Sequence, residues 1–171
     1  IDSNTFTNNE ANNGGAIYAT DTLTVNNTEF DKNIATTNGG AIYAYGETNI
    51  DSNTFTNNEA NNGGAIYSED TLTVNNTEFD KNIAITNGGA IYVYGETNID
   101  SNTFTNNEAN NGGAIYSEST ATLTVNDTIF NTNIATTNGG AIYTNGETNI
   151  DTNTFENNEA NNGGAIYSES T

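Results

Sequence analysis

The sequence predicts an all-β protein, a parallel β-helix of about seven coils with 24 to 26 residues in each coil. Two observations support this prediction. Every phenylalanine opens the motif Phe-x-x-Asn-x-Ala, which is followed by Asn-Gly-Gly-Ala-Ile-Tyr, and the spacing of the phenylalanines gives the coil length. Between these motifs, β-branched and aromatic residues alternate with polar ones, as in strands that bury one face. Such a period is typical of a solenoid, in which each coil is stabilised by stacking on its neighbours. The phenylalanines are Phe6, Phe30, Phe55, Phe79, Phe104, Phe130 and Phe155.

Each repeat contains three apolar segments that we predict to be strands. Leu23 and Val25 alternate with threonine, Phe30 follows Glu29, and Ala41 to Tyr43 follow a glycine pair. The asparagine- and glycine-rich stretches between them tolerate positive φ and are predicted to form corners. We therefore expect three strands and three corners in each coil. Because neighbouring strands lie about 4.8 Å apart, seven coils give a rod on the order of 30 Å long.

The repeats account for the whole composition, so no second domain is expected. The 17 glycines form seven Gly-Gly pairs, with Gly46, Gly95 and Gly146 in addition. We predict a single β-solenoid segment over residues 1–171, with coils that begin near residues 1, 25, 50, 74, 99, 125 and 150. The chain starts without methionine and stops before the Leu-Thr-Val that would complete its last coil. We therefore expect it to be part of a longer repeat protein.

Three rows of apolar residues are predicted to point inward and to stack like on like. The phenylalanines form one row, and the isoleucines of Gly-Gly-Ala-Ile form another. The third row consists of Ile1, Val25, Ile50, Val74, Ile99, Val125 and Ile150.

The asparagine of Phe-x-x-Asn is predicted to point inward at a corner. Its amide can hydrogen-bond along the axis and to corner backbone groups that the strands leave unpaired. We favour this structural ladder over a binding role. The ladder residues are Asn9, Asn33, Asn58, Asn82, Asn107, Asn133 and Asn158.

The charge balance excludes several classes of function. The chain has 22 acidic residues, two lysines and a net charge of −20. Nucleic acids and anionic membranes need clustered basic residues, and no apolar run approaches the length of about 20 residues that inserts into a membrane. Histidine, cysteine and arginine are absent, so metal-histidine, thiol and Ser-His arrangements are excluded. We predict no enzyme, no cofactor and no metal site. A polysaccharide-active β-helix enzyme with a carboxylate pair stays a minor alternative.

The Gly-Gly-Ala-Ile motif, paired with Phe-x-x-Asn once in every coil, resembles the repeats of the chlamydial polymorphic outer membrane proteins. It also resembles the repeats of adhesin-like surface proteins of methanogenic archaea and other microbes. The resemblance covers the whole chain. It implies a right-handed parallel β-helix of the pectin-lyase-like type, displayed outside the cell as an adhesin or a surface fibre. The chain departs from the chlamydial members in having no cysteine.

The residue after each ladder asparagine alternates between glutamate and isoleucine. This alternation places successive glutamates roughly 10 Å apart, near the Debye length at physiological salt, and so weakens their repulsion. Ile34, Ile83 and Ile134 are then predicted to face solvent, where they form a candidate lateral contact. The alternative is that they only cover neighbouring alanines and threonines. The glutamates are Glu10, Glu59, Glu108 and Glu159.

Three Asn-x-Thr sequons lie at the same corner of alternate coils, at Asn26, Asn75 and Asn126. They are candidate sites for covalent N-glycans if the source organism glycosylates asparagine. The last residue of each Gly-Gly-Ala-Ile-Tyr block should point outward. This tyrosine row either binds sugar or a neighbouring filament, or forms a ladder that stabilises its own sheet by stacking. The row consists of Tyr18, Tyr43, Tyr67, Tyr92, Tyr116, Tyr143 and Tyr167.

Two hypotheses for the function follow, and both place the chain outside the cell or at the cell surface. In the first, the chain is the body of a structural fibre that assembles with itself, axially or laterally. In the second, it is the stalk of a cell-surface adhesin that binds host cells or glycans through another region.

Overall fold

Residues 1–169 are described by a computed structural model, and they form four parallel β-sheets whose strands stack coil on coil. The chain visits the four sheets in the same order in every coil. Each strand pairs in parallel with the equivalent strand of the neighbouring coils, for example Phe55 with Phe30 and Phe79. The described residues contain no helix. The predicted all-β solenoid of about seven coils is confirmed. Residues 170 and 171 of the predicted segment lie outside the described residues.

We name each sheet after residues that recur in it. The Val sheet contains Leu23–Asn26, Thr48–Asp51, Leu72–Asn75, Thr97–Asp100, Thr122–Asn126 and Glu147–Asp151. The Phe sheet contains Thr5–Thr7, Glu29–Asp31, Thr54–Thr56, Glu78–Asp80, Thr103–Thr105, Ile129–Asn131 and Thr154–Glu156. The Glu/Ile sheet contains Glu10–Asn13, Ile34–Asn38, Glu59–Asn62, Ile83–Asn87, Glu108–Asn111 and Ile134–Asn138. The Tyr sheet contains Ile17–Ala19, Ile42–Ala44, Ile66–Ser68, Ile91–Val93, Ile115–Ser117, Ile142–Thr144 and Ile166–Ser168.

The prediction of three strands per coil is wrong, because a full coil has four. The additional strand belongs to the Glu/Ile sheet, whose Glu-Ala-Asn-Asn segments have the composition of a corner. These segments extend because they pair with neighbouring coils, on both sides for Glu59–Asn62 and Glu108–Asn111, so that backbone pairing outweighs the low strand propensity of asparagine. In the Glu/Ile sheet, four-residue strands such as Glu59–Asn62 alternate with five-residue strands such as Ile83–Asn87. A bulge between Ala60 and Asn62 accommodates the extra residue.

Single residues in the left-handed region form two of the corners. Asn76 (φ 49°) turns the chain from the Val sheet to the Phe sheet, and Lys81 (φ 54°) turns it to the Glu/Ile sheet. The corner before the Tyr sheet needs glycine instead. Gly39 has φ 64°, and a Cβ on Gly40 would lie 2.0 Å from the carbonyl oxygen of Gly64 in the next coil. The Gly-Gly pair is therefore a steric requirement of close coil stacking.

The core contains the three predicted rows of apolar side chains, together with Leu72 and its equivalents and the alanines of the Gly-Gly-Ala-Ile motif. Val74, Phe79 and Ile91 are fully buried, as are their equivalents in the central coils. The phenylalanine rings stack in parallel with centroids 4.6 to 5.1 Å apart along the whole row. Burial of each row depends on the coils above and below, and Ile1 in the first coil is accordingly 46% exposed.

A period of two coils is superimposed on the stack. In the Glu/Ile sheet, Ile83 is paired with Glu59 on one side and Glu108 on the other. In the Val sheet, Leu72 is paired with Thr48 and Thr97. The chemical repeat at these positions is thus a pair of coils, and in the Glu/Ile sheet the alternation keeps glutamates out of equivalent positions of adjacent coils.

We expect Ile83→Glu to lower the free energy of unfolding more than Ile83→Gln, which is polar but uncharged. The new carboxylate would lie about 5 Å from both Glu59 and Glu108, and each repulsion is worth about 1 kcal/mol in water. Urea unfolding at low ionic strength measures the difference. It should shrink at 1 M salt, where the Debye length falls to about 3 Å. Equal stability of the two variants at low salt would contradict this explanation of the alternation.

Candidate functional site

The asparagines of Phe-x-x-Asn form a continuous hydrogen-bonded column, which we call the first ladder. Each side-chain Nδ2 donates to Oδ1 of the equivalent asparagine in the next coil, over 2.8 to 3.0 Å. Asn58, which is fully buried, also donates from Nδ2 to the carbonyl oxygen of Phe30 (3.0 Å), and its backbone N–H donates to Oδ1 of Asn82 (3.0 Å). Both side-chain N–H groups and both acceptor positions of an internal member are therefore used. The geometry gives the column a structural role.

A second asparagine ladder precedes the Gly-Gly pairs, and the sequence interpretation missed it. Nδ2 of Asn62 donates to Oδ1 of Asn38 (3.1 Å), and Nδ2 of Asn111 donates to Oδ1 of Asn87 (3.0 Å). These bonds point toward the preceding coil, whereas those of the first ladder point toward the following coil. The signal in the sequence is an asparagine before every Gly-Gly pair, which we interpreted only as a corner residue.

The threonines of the three sequons belong to another column, in which threonine alternates with asparagine. The backbone N–H of Asn53 donates to Oγ1 of Thr77 (3.2 Å), and that of Thr77 donates to Oδ1 of Asn102 (2.8 Å). The Thr77 hydroxyl donates in turn to the carbonyl oxygen of Asn75 (2.8 Å), and Thr77 is buried. Thr28 and Thr128 make the same bond to Asn26 and Asn126. The Asn-x-Thr pattern thus has an explanation in the fold itself.

The sequon asparagines lie at the ends of Val-sheet strands, and their side chains are half-buried. Asn75 is paired with Asp51 and Asp100, so asparagine and aspartate alternate along the outer face. The structure places Asn26 and Asn126 at the same register position, on alternate coils. All three candidate glycosylation residues therefore share one face of the rod.

The predicted lateral contact lies on the outer face of the Glu/Ile sheet. Ile34, Ile83 and Ile134 are 41%, 42% and 39% exposed. A shallow cavity of about 420 Å³ surrounds Ile83 and is lined by Lys81 and by both flanking glutamates. Two further isoleucines, Ile85 and Ile129, are also exposed, and the sequence interpretation did not single them out.

The tyrosines form a stacked ladder on the outer face of the Tyr sheet. Neighbouring rings are nearly parallel, with centroids 4.6 to 5.4 Å apart, so each ring covers the face of the next. The inner members are therefore covered by their neighbours, and Tyr43, Tyr67 and Tyr92 are buried although they lie on the outer face of the sheet. Two tyrosines that follow the strands pack edge-on against the ladder rings: Tyr45 against Tyr43, and Tyr94 against Tyr67. This arrangement matches the stacking alternative rather than a sugar-binding platform.

The covered phenols are strongly biased toward their neutral form. Burial, followed by the negative charge of Glu118, raises the pKa of Tyr116 to about 12. Burial also raises the pKa of Tyr43, whose hydroxyl donates to Oε1 of Glu69 (2.9 Å). Tyr92 donates to Glu118 in the same way. Ionisation of Tyr43 or Tyr92 would place a phenolate beside a carboxylate at a site that is shielded from solvent.

Residues 1–169 hold neither a metal-binding cluster nor a membrane-spanning helix. No group of three or more acidic side chains there is arranged to hold a metal ion. No helix in the same residues has the length and apolar character needed to cross a membrane.

The stacked sheets and ladders define a tandem-repeat protein of the parallel β-solenoid class. A model of the Chlamydia polymorphic membrane protein repeat matches seven segments, residues 5–20, 27–45, 54–69, 76–94, 103–118, 127–145 and 154–169. The chain therefore belongs to this repeat family, which confirms the resemblance of its motifs. Family and fold fit a surface repeat protein, and the family suggests an outer-membrane or cell-surface location. Neither a comparison with curated proteins nor one with solved structures found a match.

We expect Asn82→Ala to lower the free energy of unfolding by roughly 3 kcal/mol, because it removes the hydrogen bonds between this side chain and several buried partners. Those partners are the amide of Asn58 and the carbonyl oxygen of Phe55. Asn49→Ala is the matched control on an outer face and should change stability by less than about 0.5 kcal/mol. Chemical denaturation measures both values. Similar losses in the two variants would contradict a special contribution of the ladder.

We expect the rod to lose stability between about pH 10, where tyrosine ionises in unfolded chains, and the raised pKa of Tyr116 at about 12. The folded state binds the phenolic protons more tightly, so their contribution is complete below pH 10 and is lost as the pH rises through that window. Tyrosinate absorbance and circular dichroism, recorded in the same alkaline titration, measure it. If most tyrosines ionise near pH 10 while the strands persist, the ladder is not protecting them.

Proposed function

We propose that this chain is a structural repeat protein that forms the body of an extracellular fibre at the cell surface. The observation that carries the proposal is the continuity of the stack. In all four parallel sheets and in the side-chain ladders, residues at equivalent positions of successive coils pair with one another. Such axial hydrogen bonding resembles the cross-β arrangement and resists bending and local opening. A fibre needs stiffness and a constant width, and a rod of this kind has both.

The second candidate is the stalk of a cell-surface adhesin, and membership of the polymorphic membrane protein repeat family favours it. In that case ligand recognition belongs to another region, and this segment sets the distance between that region and the cell. Both candidates assign the chain a mechanical role and no catalytic step. They differ in whether neighbouring rods bind one another.

Lateral self-association is the property that distinguishes a fibre from an isolated stalk. The net charge of −20 opposes contact between two rods over most of their surface. Ile34, Ile83 and Ile134 are exposed apolar positions, recurring roughly every 10 Å along one face. We propose that this isoleucine row is where two rods touch, because burying it offsets part of the electrostatic cost.

We also propose that Asn26, Asn75 and Asn126 carry N-glycans in a glycosylating host. Their outward position on one face supports this, since an attached sugar would not enter the core. The buried sequon threonines have their own role in the corner column, so the pattern alone does not require glycosylation.

Electron microscopy of material isolated from its source tests the two candidates together. Continuous bundled rods support the fibre, and single rods that end in another domain support the stalk. Density at Asn26, Asn75 and Asn126 identifies the glycans, and their absence overturns that part of the proposal. Intact mass of the same material gives an independent measure of attached sugar.

We expect the recombinant chain to associate side by side, and the triple variant Ile34→Thr, Ile83→Thr, Ile134→Thr to remain as single rods. Threonine keeps the strand propensity but removes apolar surface. Ile129→Thr is the control, because Ile129 is 45% exposed and lies in the Phe sheet, away from the row. Sedimentation velocity at raised salt, which screens the repulsion, measures the difference. Association that persists in the triple variant places the contact elsewhere.

A further inference from the structure

A groove runs along the corner between the Val sheet and the Phe sheet. One cavity, of about 520 Å³, is lined by Ser3, Thr5, Asn27, Glu29, Ser52 and Thr54. A second, of about 620 Å³, is lined by Ser52, Thr54, Asn76, Glu78, Ser101 and Thr103. The two cavities share Ser52 and Thr54 and have equivalent residues, shifted by two coils. We call the combined feature the corner groove.

The walls of the corner groove alternate between two kinds of chemistry from coil to coil. One coil supplies the hydroxyl groups of a serine and a threonine, and the next supplies an amide and a carboxylate, as in Asn76 and Glu78. The residues are held in place by the corner geometry. Asp51 accepts hydrogen bonds from Ser52 (Oγ to Oδ2, 3.1 Å) and from Asn76 (Nδ2 to Oδ1, 2.9 Å). Ser52 and Asn76 both have positive φ, which turns their side chains at the corner.

This chemistry suits a neutral ligand rich in hydroxyl groups. Carboxylates accept hydrogen bonds from sugar hydroxyls, and serine, threonine and asparagine both donate and accept. A net charge of −20 disfavours polyanions such as uronic-acid polymers. The ligand must also be extended, because the groove is open along the rod axis and follows the coils.

We propose that the corner groove binds a single chain of a neutral β-1,4-linked polysaccharide, of the cellulose or chitin type, parallel to the rod axis. In such chains successive sugars are related by a half turn, so the chemical repeat is two sugars. The advance per sugar is close to the coil spacing of about 4.8 Å. One sugar then lies beside each coil, and the two-sugar period of the ligand matches the two-coil period of the groove.

One coil has isoleucine at the position of the groove glutamates, and this suggests a substitution that the fold tolerates. Ile129 is paired with Thr103 and Thr154 in the Phe sheet, so it occupies the position that Glu29 and Glu78 have in earlier coils. Isoleucine is therefore compatible with the fold at this position. The double variant Glu29→Ile, Glu78→Ile removes both groove carboxylates without disturbing the corner column.

Calorimetric titration of cellohexaose and chitohexaose into the recombinant chain, produced in a host that does not glycosylate, tests the proposal. We expect at least one hexasaccharide to bind, and the trisaccharide of the same sugar to bind more weakly. The double variant Glu29→Ile, Glu78→Ile should lose affinity at least tenfold. Glu59→Gln, Glu108→Gln is the control, because it removes two exposed carboxylates from the Glu/Ile sheet. It should bind like the unmodified chain. Preference between the two hexasaccharides identifies the cellulose or the chitin type.

Three results would overturn the groove assignment. In the first, neither hexasaccharide binds. In the second, the isoleucine double variant binds a hexasaccharide as tightly as the unmodified chain. In the third, polygalacturonate, a polyanion, binds as tightly as the neutral hexasaccharides. The rod and fibre proposal does not depend on any of these outcomes, since it concerns contacts on the Glu/Ile sheet.

Discussion

The hydrogen bond between asparagine side chains of successive coils is the interaction on which the rest of the structure depends. A corner leaves backbone groups unpaired, and a buried corner cannot use water to satisfy them. In the first ladder one amide satisfies a backbone carbonyl, a backbone N–H and the next amide together, as the Asn58 side chain does with Phe30, Asn33 and Asn82. The chain can therefore bury its corners, and burial of the corners allows short strands to enclose a continuous apolar core.

The ladder also fixes the axial spacing and register, which then determine the side chains at every other position. Equivalent residues lie directly above one another, so planar rings stack and β-branched side chains fill identical spaces. The same rule acts against charged residues, because equivalent carboxylates would repel one another at the coil spacing. Alternation of Glu59 with Ile83 resolves this conflict, at the cost of exposing an apolar side chain. The surface chemistry of the rod is therefore a consequence of its internal order.

Local patterns in the sequence predicted the inward rows and the outward isoleucines, because alternation within one repeat decides which way a side chain points. Other features depended on residues from different coils. Glu-Ala-Asn-Asn is a strand only because neighbouring coils pair with it, and Tyr67 is buried only because Tyr43, Tyr92 and Tyr94 cover it. The role of Thr77 in its column likewise appears once Asn53 and Asn102 are placed above and below it. Propensity of a single segment carries no information about such contacts.

The opposite directions of the two asparagine ladders give the rod a strict polarity without a large net side-chain dipole. Asn58 donates toward the following coil and Asn62 toward the preceding one, so the two columns of amide dipoles oppose each other. A coil placed in the reverse direction would meet both columns with the wrong partners, donor against donor and acceptor against acceptor. Each coil thereby distinguishes the two faces of its neighbour, and the direction of the chain is encoded once in every coil rather than at a single site.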